Sequence, residues 1–543
     1  MKISFASLLI LSTLALVSYD LKKKKRNVDK TPSDELPNIL WISAEDLSPR
    51  LAAYGDSTIA TPNIDRLANE GIVFEHAYTS AGVCAPSRNA IITGRYQTSN
   101  GGHNMRTLYN TYPESTGLPK EYHSVPPPDV KCFPEYLRAA GYFTSNNKKT
   151  DYQFIAPPTV WDRNSDTASW RDREEGRPFF SVMNFTTTHE SQIWKKAKNP
   201  MRADPDKVPV PPYYPDSEIS RNDIARHYSN ISELDDQVGE VLAQLEEDGL
   251  MDNTIIFFWG DHGDGLPFYK REIYRRGLHI PLIVRFPDGK AAGTRNDEFI
   301  SAIDFGPTVL SLAGIETPGQ MHGKPFLGKF KQEQGRDHIF AARDRLDSEY
   351  DRVRSVMNGQ YQYIRNFQPK KPLYMDIDFR KSIPTMRLLL ERKEEGRLSE
   401  DQSFWFKPTK PSEELYDWVN DPYQLNNLAG EEAHAETLAK LREVMDTWIF
   451  ETEDLGGIPE KELVEQMWNG ADQQPVTAQP LVYSSDEKIK IISLSTGASI
   501  GYRKAGSDRW EVYTGEISLP EGDYEAIAMR IGYVPSDVVA FKV

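Results

Sequence analysis

At 543 residues the chain exceeds what one hydrophobic core usually organises, so one large domain and at least one smaller one are expected. Its 80 acidic and 64 basic side chains leave a net charge of −16, which argues against nucleic-acid binding as the main task. An anionic ligand therefore needs a local basic site. The only cysteines, Cys84 and Cys132, exclude a disulfide scaffold.

Residues 1–20 read as a signal segment, with Lys2 as the positive end and an apolar run over 8–17 too short to span a membrane comfortably. Export to the periplasm or the medium follows. A polar linker, 21–36, carries the basic run 22–26, before which an uncleaved anchor is the alternative. No later stretch is long and apolar enough to cross a membrane, so no stable span is expected in the mature chain.

Residues 37–43 form an almost continuous apolar run, as in a buried parallel strand. Glu45 and Asp46 follow at once, where open α/β sheets gather ligands, and are candidate ligands for a hard cation; a loop pair or capping acids is the alternative. Residues 61–71 predict a helix with Thr61 as cap, Pro62 in first position and Gly71 as stop. Next comes Cys84-Ala85-Pro86-Ser87-Arg88. Proline tolerates the first helical turn, so Cys84 is expected just ahead of a helix N-terminus, which favours an anion. On its own Cys84 reads first as an inert buried thiol or a partner of Cys132. The glycine-rich loop after it brings His103 and Arg106 as candidate substrate contacts.

A helix over 133–141 leads to Lys149 and Asp151, and a second apolar strand over 178–185 runs on to His189. Three- and four-residue apolar spacing predicts a long helix over 219–249, with Glu233, Asp235 and Asp236 on its solvated face. A third apolar strand, 254–259, ends in Asp261 and His262, and a basic loop follows with Lys270, Arg275 and Arg276. In so acidic a chain an anion would be drawn there. Short strands between turns over 475–543 predict a small all-β domain, a β-sandwich, that binds carbohydrate or is a structural appendage.

The cysteine motif, followed by Thr93-Gly94-Arg95, resembles the C-x-P-S-R motif of type I sulfatases in the alkaline-phosphatase-like superfamily. The phrase over 61–71, and Glu45, Asp46, Lys149, His189, Asp261, His262 and Lys270, occur in that family's order. The resemblance implies an α/β fold: a central mixed sheet flanked by helices over 37–335, a smaller C-terminal subdomain over 336–455, and the β domain as an addition. It further implies that a maturation enzyme oxidises Cys84 to formylglycine, whose hydrate attacks sulfur in line. Glu45, Asp46, Asp261, His262 and the modified Cys84 would hold calcium, or less readily magnesium. Arg88 would help hold the hydrate, Lys149 and Lys270 would offset sulfate charge, and His189 would protonate the leaving oxygen.

Two departures stand out. Asp151 replaces the family's usual histidine, so that residue's proton transfer does not carry over, and Arg275-Arg276 replace Glu-Gly. Asp151, Arg275 and Arg276 join His103 and Arg106 as expected substrate-binding residues. The implied activity is hydrolysis of sulfate esters on a sulfated carbohydrate by an exported enzyme. The alternatives are a phosphodiesterase or phosphonate monoester hydrolase of the same superfamily, or a non-catalytic carbohydrate-binding protein with unmodified Cys84.

Overall fold

All seven residues of strand β1 (Asn38–Ala44) are buried. Leu40 and Ile42 belong to one hydrophobic cluster and Ile39 and Trp41 to another, the alternation of a strand covered on both faces. These observations come from a computed structural model that describes residues 36–485 and 488–543. The expected signal segment, and the linker up to residue 35, lie outside the described residues.

The sheet continues with β2 (Gly71–Tyr78), β3 (Phe143–Asn146), β4 (Arg163–Asn164), β5 (Phe179–Phe185), β6 (Thr254–Gly260), β7 (His279–Ile280), β8 (Leu282–Arg285) and β9 (Thr294–Ser301). Among the described residues it is nine-stranded, in the order β4-β3-β5-β1-β6-β8-β2-β7, with β9 beside β2. Strands β4, β3, β5, β1 and β6 are parallel, and β8 is antiparallel to its neighbours, so the sheet is mixed. Ala44 lies opposite both Phe185 and Gly260. Three central strands thus end level, and the segments leaving them converge at one edge of the sheet.

The long helix, Glu218–Glu247, buries the expected apolar face from Ile224 to Leu245 and stops before Gly249, whose φ of 68° suits glycine. One expectation is corrected here. Asp235 is buried, not solvated, and accepts hydrogen bonds from the N–H groups of Asn63 (3.1 Å) and Ile64 (2.8 Å). It satisfies the open N-terminus of the Pro62–Glu70 helix, where Thr61 makes no side-chain cap bond.

A second, antiparallel sheet follows: β10 (Ile339–Leu346), β11 (Glu349–Met357), β12 (Tyr361–Asn366) and β13 (Glu413–Asp417), with the Ala435–Glu451 helix against it. At the C-terminus lie a two-stranded sheet (β14, Leu481–Ser485; β15, Lys488–Ile492) and a four-stranded one (β16, Ser499–Lys504; β17, Glu511–Val512; β18, Asp523–Met529; β19, Val539–Lys542). They share a small core around Ile489, Ile491 and Ala526. Lys131 ties this region to the first domain, its Nζ donating to Gly497 O at 2.6 Å and Ser499 Oγ at 3.0 Å. Among the described residues no helix is long and apolar enough to cross a membrane.

Candidate active site

Val83 is extended, and Cys84 is the first residue of the buried Cys84–Thr93 helix rather than the one before it. Pro86 sits in the first turn, where its missing N–H costs nothing. Ser87 and Arg88 fasten this helix to the end of β6. Ser87 Oγ donates to Asp261 O at 2.7 Å, Arg88 Nε to Asp261 Oδ2 at 3.0 Å, and Arg88 Nη1 to Asn184 Oδ1 at 3.0 Å. Both cysteines are buried free thiols, so the pairing of Cys84 with Cys132 does not occur.

The ends of β1 and β6 bring ligand atoms of Asp46, Asp261 and His262 within 4.8 Å of one another. Asp46 adopts φ 53°, its N–H donates to Asp261 Oδ1 at 3.0 Å, and its Oδ2 accepts from Glu190 N at 2.7 Å. Gly265 makes room, since a Cβ there would lie 2.8 Å from Asp46 Oδ2. His262 Nδ1 lies 2.9 Å from the Gly263 carbonyl, which only accepts, so that nitrogen carries a proton. Its Nε2 faces Asp46 Oδ1 at 3.2 Å and Asp261 Oδ1 at 3.6 Å without a hydrogen bond of good geometry. Two carboxylates and an imidazole nitrogen turned together in this way fit a divalent cation. Burial disfavours the imidazolium, yet Asp261 and Asp46 push its pKa up to about 10, so metal binding would release that proton.

Glu45 does not join this trio. Its carboxylate groups with Cys84 and Asp151 and pairs with Lys149 at 2.6 Å; Lys149 also meets Asp151 at 2.8 Å. Lys270 Nζ sits 2.8 Å from both oxygens of Asp46. Burial raises the Asp46 pKa, but Lys270 and the nearby imidazoles outweigh it and hold the carboxyl well below the usual range. Asp151 is likewise held low against burial, chiefly by Lys149.

Cys84, Arg106, Lys149, Asp151, His189 and Lys270 line one cavity of about 260 Å³. Three residues that sequence reasoning missed line it too: Glu190, Arg271 and Phe379. Arg271 grips Glu190 with two bonds of 2.8 and 2.7 Å. Both arginines, Arg106 and Arg271, lie over the Phe379 ring, at 5.5 and 5.9 Å. Glu190 and Arg271 adjoin residues already singled out, and that adjacency was an available signal; Phe379 comes from a distant segment that offered none.

His103, Arg275 and Arg276 are not brought to this cavity, so the expected contacts to a substrate bound at Cys84 do not come from them. Met105 N donates to Arg345 O at 2.8 Å and Asn104 Oδ1 accepts from Arg345 N at 3.1 Å, so the loop is tied down onto β10 and His103 turns inward. Burial first, then Arg354, lowers the His103 pKa to about 4. Arg275 begins a short helix, Arg275–Leu278, which points Arg275 and Arg276 into a different cavity from Lys270.

The family model described as Sulfatase matches residues 37–315, and one described as N-sulphoglucosamine sulphohydrolase, C-terminal, matches 260–394. An ulvan-active sulfatase of Formosa agariphila is 42% identical over 561 aligned residues, covering 96% of this chain and 94% of that protein. A structure solved in complex with its substrate D-glucosamine-2-N,6-O-disulfate has a TM-score of 0.56 at 19% identity, covering 79% of this chain and 100% of that one. The phosphonate monoester hydrolase of Agrobacterium radiobacter has a TM-score of 0.56 at 17% identity, covering 77% and 96%. At such identities these two likenesses establish the mixed α/β fold alone. The family match and the 42% relative decide the activity: the chain belongs to the sulfatase family and is a sulfuric ester hydrolase.

Proposed function

We propose that the chain is exported and removes sulfate from a sulfated polysaccharide or oligosaccharide, with Cys84 matured to formylglycine and calcium, rather than magnesium, held by Asp46, Asp261 and His262. Glu45 and Cys84 group with Asp151 instead. Calcium accepts irregular oxygen-rich coordination more readily than magnesium does. One observation carries the reading: in a chain of net charge −16, Lys149, Lys270, Arg106 and Arg271 line the same cavity as Cys84. The 42% identical relative, named an ulvan-active sulfatase, supports the carbohydrate class.

A cation held by Asp46, Asp261 and His262 would favour the ionised form of the oxygen nucleophile that a matured Cys84 would supply. The chain's own residues do the rest. Arg88 fixes Asp261, and with it the distance between the cation site and Cys84. Lys149 and Lys270, each held by a carboxylate, present charge to the sulfate oxygens without having to reorganise. His189 Nδ1 lies 2.9 Å from Ser191 Oγ, which can accept its proton when the ring is charged and so orient the imidazolium to give its Nε2 proton to the leaving ester oxygen. Burial, then Lys270, lowers the His189 pKa; the negative charge of a bound ester works in the opposite direction.

The test is a mass spectrum of the Cys84 peptide after co-expression with a maturation enzyme. The expected result is a formylglycine mass, and an unmodified thiol defeats the mechanism. For His189, the expected result is that His189→Ala slows esters with poor leaving groups most. Full turnover of such an ester by His189→Ala removes the acid role.

A further inference from the structure

The cavity that receives Arg275 and Arg276 takes no part in the site above. It measures about 460 Å³ and lies where the β2–β7 edge, through Glu75, His76 and His279, meets the loop carrying Pro422 and Tyr423. That volume lies within the range of about 300–1,000 Å³ common to ligand pockets.

Its charge is unusual within this protein. Arg276 is 8% exposed, donates only to the carbonyls of Phe268 and Tyr423, both at 2.8 Å, and its Nη2 has no hydrogen-bond partner among the described residues. Arg275 donates to the Tyr78 hydroxyl at 3.1 Å and lies 4.8 Å over Trp418. Among the described residues neither has a carboxylate partner. Among the described residues every buried arginine other than Arg276 sits on a carboxylate except Arg226, whose guanidinium is taken up by the carbonyls of Asn199 and Pro200; Arg275 is half-buried, a class in which Arg95 and Arg173 also bond only carbonyls. The remaining charges of the cavity are already matched, Arg50 by Asp264 and Glu75 by Arg295. His76 and His279 register the excess: burial and then Arg275 lower both.

The rest of the lining is tyrosine and proline, with Ser48. Tyr213 and Tyr269 form wall, and Tyr423 stands at the rim with 43% of its surface exposed, 6.0 Å from Tyr213 between ring centroids. A guanidinium suits a sulfate's oxygens, and tyrosine rings suit the apolar face of a sugar.

We propose that this cavity is a second, non-catalytic saccharide site that holds a sulfated sugar unit while another unit of the same polymer occupies the Cys84 pocket. Arg275, the more exposed of the two, meets the sulfate, Arg276 adds its charge from behind the wall, and Tyr423 packs on the ring. The proposal rests on the polysaccharide reading above for the source of its ligand.

The test uses the full chain with Cys84→Ala, titrated calorimetrically with ulvan oligosaccharides and sulfated dextran and with desulfated counterparts of each. The sulfated probes are expected to bind, and adding Arg275→Gln or Tyr423→Ala weakens them about tenfold. In the matured enzyme the same two substitutions raise KM for the polymer about tenfold and leave kcat/KM for 4-nitrophenyl sulfate unchanged. Two variants are used because Tyr423 is exposed and leaves the buried Arg276 packing intact. No binding of either sulfated probe, unchanged binding in both variants, or an equal loss for the desulfated probes overturns the site. A matured enzyme that hydrolyses no sulfate ester, but whose probe binding still depends on Arg275, overturns the function and leaves the site standing.

Discussion

The two cavities treat positive charge in opposite ways. Around Cys84 each cation touches a carboxylate: Lys149 touches Glu45, Lys270 Asp46, Arg271 Glu190, and Arg106 Asp347. Around Arg275 and Arg276 the partners are carbonyls, a hydroxyl and aromatic rings. The difference fits two tasks. A reaction site must hold its cations in place and still release a sulfate dianion, so partner carboxylates that share the charge prevent product from binding too well. A site that only holds ligand has no such need, and unshared guanidiniums give it affinity.

The largest effect separates the two cavities outright. Cys84→Ala should lower sulfate-ester turnover by ~10⁴-fold or more, because it removes the nucleophile, and leave oligosaccharide binding through Arg275 intact. Loss of both would show that one site does both jobs. Lys270→Ala should lower kcat/KM for 4-nitrophenyl sulfate by ~10²- to 10³-fold, the scale of one lost electrostatic stabiliser, with Lys270→Arg recovering part of it. An Arg275→Gln loss of equal size would erase the contrast between paired and unpaired cations. Chelation with EDTA should lower the same turnover about 10- to 100-fold, reversibly on adding calcium, without weakening binding at the second cavity. Calorimetry before and after chelation reads both.

Much of the first cavity was legible in the residues, and the reasons are local. Apolar runs that end in Glu45-Asp46, His189 and Asp261-His262 mark buried strands whose ends must meet if the strands are neighbours, and β1 lies between β5 and β6. Side-chain direction was not legible. His103 and Arg106 share one loop, and its bonds to the Arg345 backbone, from Met105 N and the Asn104 side chain, decide that the first turns in and the second out. Lys270 and Arg275 share another, and a helix start at Arg275 separates them. Asp235 looked solvated because its acidic neighbours are, yet it meets the N-terminus of a helix more than 150 residues away, 171 positions off at Ile64. Glu45 illustrates the same limit. Its place in the motif suggested the cation site, while its longer side chain brings the carboxylate to Lys149.

The smallest expected effect is the finest probe of the comparison. Raising sodium chloride from 0.1 to 1 M shortens the screening length from about 10 to 3 Å, which weakens exposed charge interactions far more than buried ones. Lys270 is 2% exposed and in contact with Asp46, so the KM for 4-nitrophenyl sulfate should change less than about twofold. Arg275 is only partly buried in an open cavity rimmed by exposed Tyr423, so the KM for the polymer should rise several-fold over the same range. In Arg275→Gln that salt dependence should flatten toward the small-ester value. Equal salt dependence for both substrates, or a slope that Arg275→Gln leaves unchanged, would mean that the polymer gains nothing from the unpaired guanidiniums and is bound at the Cys84 pocket alone.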